Sequence, residues 1–132
     1  MKFSELKTDE TMEEDGVWIQ YADDFWVKLA RLDNKKATKL LRKLEKPYKR
    51  QIRLGTISDD VQKKNIIQLV ARTVLLEWRG LENDDGSPDL FSKERAEERL
   101  SESKDFLKDV LQMSQEPANF RKELQEDAEG NS

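Results

Sequence analysis

The chain has 132 residues, 36% of them hydrophobic and 39% charged, with a formal net charge of −4. That is enough for one domain with a modest core, with polar termini left outside it. It contains neither cysteine nor histidine, which excludes disulfides, thiolate nucleophiles, Cys/His zinc sites and His-dependent triads within this chain.

The net charge averages over a strong asymmetry. Between Asn34 and Arg53 lie nine of the 24 Lys/Arg and one of the 28 Asp/Glu, so this segment carries +8 and the remainder, with 15 bases and 27 acids, carries −12. A basic block in an acidic protein points to an anionic partner or to self-association.

Residues 1–15 are polar and acidic and lack periodicity; they are expected to form a flexible lead-in. A single domain is expected over 16–126. No apolar run suits a signal peptide or a membrane span, so the expectation is a soluble, intracellular protein. The stretches "VWIQY" (17–21) and "FWVKLAR" (25–31) alternate, with Val17, Ile19 and Tyr21 on one face and Phe25, Val27 and Leu29 on another. They predict a hairpin over 17–31 with a three-residue loop, Ala22-Asp23-Asp24.

Asn34 can cap a helix over 34–46, whose apolar positions are Ala37, Leu40, Leu41 and Leu44 and which Pro47 stops. A connector follows over 48–57. Ser58 caps a second helix, with Asp59 and Asp60 in its first turn. It is expected to run from 58 to 78, apolar around much of its circumference, and to end with a left-handed cap at Gly80. Ser92 and Ser103 cap helices over 92–102 and 104–113. Pro117 starts a last helix over 116–126, and 127–132 is expected to be a flexible tail. The predicted class is therefore α+β: mainly helical, with four to five helices and an N-terminal β-hairpin.

Few residues carry recognisable chemistry. Placing Gly86 at position 6 of a calcium loop puts Asn83 and Asp85 at suitable positions. It also puts Leu81 and Ser92 where oxygen-rich ligands are needed, so the metal pattern fails. Paired acids recur along the chain, but none sits inside an apolar run; the single Glu77 borders one and is expected to face solvent or pair with an arginine. No catalytic, metal or cofactor residue is therefore expected, and the protein is not expected to be an enzyme. The basic residues Lys35, Lys36, Lys39, Arg42, Lys43, Lys46, Arg50 and Arg53 are candidates for partner binding or self-association. They also support an alternative, a nucleic-acid-binding adaptor acting through 35–53. The near-absence of aromatic residues among them (Tyr48 alone) and the acidic composition count against it. Trp18 and Trp26 lie on strands that are apolar on both faces, so one of them is a candidate for an exposed partner contact.

The segment "VLLEWRGLENDDGSPDLFSKERAEERL" (74–100) resembles siphophage tail assembly chaperones. In that family an apolar helix ends in acid-Trp-x-Gly-apolar, followed by an acidic turn, a proline and an aromatic-Ser pair opening a helix. Glu77, Trp78, Gly80, Leu81, Asp84, Asp85, Gly86, Pro88, Phe91 and Ser92 occupy those positions. The segment Ser87-Pro88-Asp89-Leu90-Phe91-Ser92 departs from the more usual Pro-apolar-Pro-aromatic-Ser run. The hairpin, "ARLDN" and the closing "NFRKELQEDAEGN" extend the likeness over about 16–130. The resemblance implies a late bacteriophage protein, the short, non-frameshifted form, that binds the tape measure protein and keeps it soluble during tail morphogenesis. It further implies a helical, self-associating protein of the host cytoplasm that is absent from the mature virion. The implied partners are the tape measure protein, a longer frameshifted form of the same chain, further copies of itself and the major tail tube protein, with no membrane.

Overall fold

A computed structural model describes residues 1–122. The expected α+β class holds: a three-stranded antiparallel sheet packs against helices. Strands β1 (Val17–Ala22) and β2 (Phe25–Leu29) form the hairpin, pairing Val17 with Leu29 and Ile19 with Val27. Ala22 pairs with Phe25, so the loop is Asp23-Asp24, one residue shorter than expected. The register shifts between Gln20 and Ala22. Irregularities of this kind bend a strand and increase its local twist.

The preceding segment is not a free lead-in. A 3-10 turn (Phe3–Leu6) leads into helix α1 (Glu10–Asp15), capped by the Asp9 side chain, which accepts from the Met12 amide at 2.9 Å. The Asp9 amide donates to the Phe120 carbonyl at 2.8 Å, and Arg31 pairs with Glu13 at 2.7 Å. These anchors are polar and distant in sequence, so no apolar periodicity announces them.

Helix α2 (Lys35–Glu45) begins at Asn34 as expected. Past it the chain stays helical through a 3-10 turn (Lys46–Tyr48) and α3 (Lys49–Leu54), where a connector was expected. Helix α4 (Asp59–Thr73) starts at Ser58, whose hydroxyl accepts from the Val61 amide. The expected helix over 58–78 is corrected here: α4 stops at Thr73, and Leu75–Arg79 forms a third strand, β3, antiparallel to β2. The run Val74-Leu75-Leu76 is apolar without a clear period, and such a run suits a strand buried between layers as well as a buried helix.

Asn34 shows why the helix stops there. Its Oδ1 accepts from the Ala37 amide at 2.9 Å, while its Nδ2 donates to the Thr73 carbonyl at 2.9 Å. One buried side chain thus starts α2 and occupies a carbonyl at the end of α4. The Ala30 amide takes the next one, that of Val74.

Helices α5 (Lys93–Glu102) and α6 (Lys104–Gln115) follow their predicted serine caps, Ser92 and Ser103. In the predicted helix 116–126, Pro117–Phe120 forms a 3-10 turn that buries Phe120. The residues from 123 on, including the rest of that helix and the tail 127–132, lie outside the described residues. The core gathers Val27 and Leu29 of β2, Leu75 and Trp78 of β3, Val70 of α4, Leu100 of α5 and Val110 of α6. Tyr21 hydrogen-bonds Asp109 on α6 at 2.6 Å; burial first, then that carboxylate, pushes its phenol pKa up to about 12. Among the described residues no helix is long and apolar enough to cross a membrane.

Candidate functional site

The signature residues assemble one corner of the molecule, between β3 and α5. Trp78 points inward and is buried; its indole N–H donates to the Asp89 carbonyl at 2.6 Å. Phe91 meets the Trp78 ring edge-on, with centroids 5.0 Å apart. Because Trp78 lies on β3 and Phe91 just precedes α5, the pair pins strand to helix. Leu81 packs on the core and its carbonyl accepts from the Asp89 amide. Pro88 bridges to Glu82, the Gly86 amide donates to the Asn83 carbonyl, and Asp85 accepts from both the amide and the hydroxyl of Ser87. Those bonds, the hydroxyl first, hold the Asp85 carboxyl below its usual value. Asp84 is exposed at the tip, Ser92 caps α5, and Glu77 faces Lys28 across the sheet.

Gly80 is not the helix cap expected from sequence; it directly follows β3. Its φ is +85°, and a Cβ there would lie 1.7 Å from the Asp24 carbonyl oxygen of the hairpin turn. Glycine is required both for the backbone conformation and for the close approach.

The residues that hold the corner together were not singled out from the sequence. Asp89 is 5% exposed. Its Oδ1 accepts from Arg95 Nε at 2.8 Å and its Oδ2 from Arg99 Nε at 2.6 Å. The Asn83 side-chain oxygen accepts from the Nη2 of each arginine, at 3.2 and 3.0 Å. Burial alone would raise the Asp89 pKa, but the two guanidinium bonds outweigh it and hold the carboxyl below its ordinary value. The available signal was Arg95 and Arg99, four apart on a helix opened by Ser92, with an aspartate just before it. Among the described residues no group of acids converges as a metal site.

The outer face of the sheet differs in kind. Trp18 and Trp26 share it, on diagonal positions of β1 and β2, and neither belongs to the core cluster. Arg79 of β3 pairs with Trp26 and lays its guanidinium over both rings, 4.5 Å from the Trp18 centroid and 5.3 Å from that of Trp26. Both tryptophans are half-buried, while Gln20, Glu77 and Arg79 around them are exposed. The structure therefore brings Trp18 and Trp26 together, where sequence alone offered one or the other. Arg79, the residue that joins them, was missed because its strand was read as helix.

The basic candidates Lys35, Lys36, Lys39, Arg42, Lys43, Lys46, Arg50 and Arg53 are all exposed, along α2, the 3-10 turn and α3. None forms an ion pair with an acid among the described residues. Tyr48, the one aromatic residue within the segment, is half-buried. The arm and the aromatic face are separate surfaces carried by different elements.

A family model described as YdaY prophage protein matches residues 32–131, from the approach to α2 through the corner and α6, with the hairpin outside the match. Comparison with curated proteins and with solved structures gives no match. With most of its length matched, from the basic arm to α6, the chain belongs to the YdaY prophage protein family and is phage-derived.

Proposed function

We propose that this prophage protein is a tail assembly chaperone: it binds the tape measure protein in the host cytoplasm, keeps it soluble while the tail forms, and leaves before the virion is complete. The observation that carries this reading is the outer sheet face, where Trp18, Arg79 and Trp26 form a half-buried aromatic surface outside the core cluster. Aromatic and arginine side chains are the groups that most often anchor protein partners, because they bury large area at low entropic cost. Charged residues around them keep the complex soluble. The choice of client comes from the resemblance of residues 74–100 to tail assembly chaperones. Phage origin agrees with it. On the same reading the chain self-associates, meets a longer frameshifted form of itself and the tail tube protein, and does no catalysis.

The test is co-expression with the tape measure protein of the same phage. The client is expected to stay soluble and to co-purify with the wild-type chain. The Trp18→Ser/Trp26→Ser variant is expected to lose most of it while keeping its own fold by circular dichroism. A client that is equally insoluble with and without the wild-type chain would sink the proposal.

A further inference from the structure

We infer that the hollow between the end of α2 and α3 is a second docking site, for an acidic amphipathic helix of a protein partner. It stands independently of whether the aromatic face takes the tape measure protein. The chain turns through the 3-10 segment Lys46–Tyr48, leaving an open hollow of about 450 Å³ beside α3. Arg42, Lys46, Lys49 and Arg53 stand around it, Ile52 lines it, and Glu45 is the single acid in its wall. The lining is mainly carbon, because the aliphatic stems of these long side chains lie along it and leave their charged ends at the rim.

Three observations choose the occupant. First, the outer part of the arm is free of the core: α2 packs on α4 but fully buries only Ala37, and α3 buries nothing. Second, none of the arm's cations forms an ion pair with an acid among the described residues, so the hollow, with Glu45 as its single acid, stays net positive in an otherwise acidic protein. Third, apolar side chains lie exposed among those charges, Ile52 at 38% and Leu54 at 58%. A carbon-lined hollow with a cationic rim complements a helix that has an apolar stripe flanked by Glu and Asp. A nucleic acid would use the rim but leave the carbon lining and Ile52 without a partner. It would also find no exposed aromatic platform on the arm, since Tyr48 is half-buried.

Fluorescence anisotropy on the full chain tests this with a labelled peptide of about four helical turns, carrying Leu at helical spacing and Glu elsewhere. The Arg42→Glu/Arg53→Glu variant is expected to weaken binding at least tenfold, on the order of what a reversed pair of rim charges costs. Ile52→Ser is expected to weaken it about fivefold at unchanged charge, through lost apolar contact. Trp18→Ser/Trp26→Ser should leave peptide binding intact, which separates this site from the aromatic face. Thermal melts within a few degrees of wild type establish that the variants fold. An absence of binding, or an Ile52→Ser variant that binds like wild type, would overturn the inference. So would a DNA duplex that displaces the peptide more readily than unlabelled peptide does. Sedimentation showing that the same Arg variants abolish association between copies would assign the hollow to a second copy of this chain and overturn the choice of occupant.

Discussion

The corner between β3 and α5 and the arm formed by α2 and α3 are both charge-rich, yet they use charge in opposite ways. In the corner, Asp89 is buried and both its oxygens are taken by arginines, with Asn83 receiving the outer ends of the same guanidiniums. On the arm, the cations stand exposed and without ion pairs among the described residues. Charge satisfied internally fixes a shape, whereas uncompensated charge on a lightly packed element is available to a partner. Net charge along a sequence does not distinguish the two; pairing geometry does.

Mutations on either side should fall into two groups. The largest effect is expected from Gly80→Ala. A Cβ would collide with the Asp24 carbonyl on a backbone of positive φ, so the corner and hairpin must separate. Urea denaturation is expected to show a loss on the order of 3–5 kcal/mol.

Asp89→Asn comes next, at about 2 kcal/mol by the same measurement, because two partly exposed guanidiniums lose the buried carboxylate they share. It also carries a pH signature. The folded Asp89 pKa lies below its unfolded value, so its contribution is present above about pH 4 and is lost as pH falls through the folded pKa. Wild type should lose stability on acidification below about pH 4 more steeply than the Asn variant. Parallel acid titrations would contradict the assignment.

Trp78→Phe keeps the ring contact with Phe91 but removes the donor to the Asp89 carbonyl, and should cost about 1–2 kcal/mol. Smallest is Lys39→Glu/Arg42→Glu on the arm, expected to change stability by less than about 0.5 kcal/mol. A loss as large as that of Asp89→Asn would mean that the arm's charges support the fold after all, and the contrast between the two regions would collapse.

Much of this contrast was legible in the sequence, though unevenly. The caps at Asn34, Ser58, Ser92 and Ser103 were readable because capping is local: side chain and amide lie within one turn. The hairpin was readable from its alternation. Strand β3 was not, because Val74-Leu75-Leu76 satisfies helix and buried strand alike, and its pairing partner lies in the hairpin, far away along the chain. With β3 read as helix, Arg79 could not be seen between Trp18 and Trp26, and Gly80 was read as a helix cap rather than as the contact under Asp24. The anchoring of residues 1–15 was invisible for a related reason: Asp9 meets Phe120 and Glu13 meets Arg31, polar contacts with no periodic trace.

The order of strands has a consequence for how the chain comes to be folded. β2 is the middle strand, so its second edge stays open until Leu75–Arg79 arrives, after all of α2, α3 and α4. A two-stranded hairpin on its own is marginal in water. On a ribosome, therefore, the aromatic N-terminal segment should remain fluid until Arg79 has cleared the exit tunnel; the sheet and the Trp18–Arg79–Trp26 stack can then form, and the corner only after Arg99 follows. The client-binding surface proposed for this protein would thus be assembled late in synthesis, as a product of long-range closure rather than of the hairpin that contributes its two tryptophans.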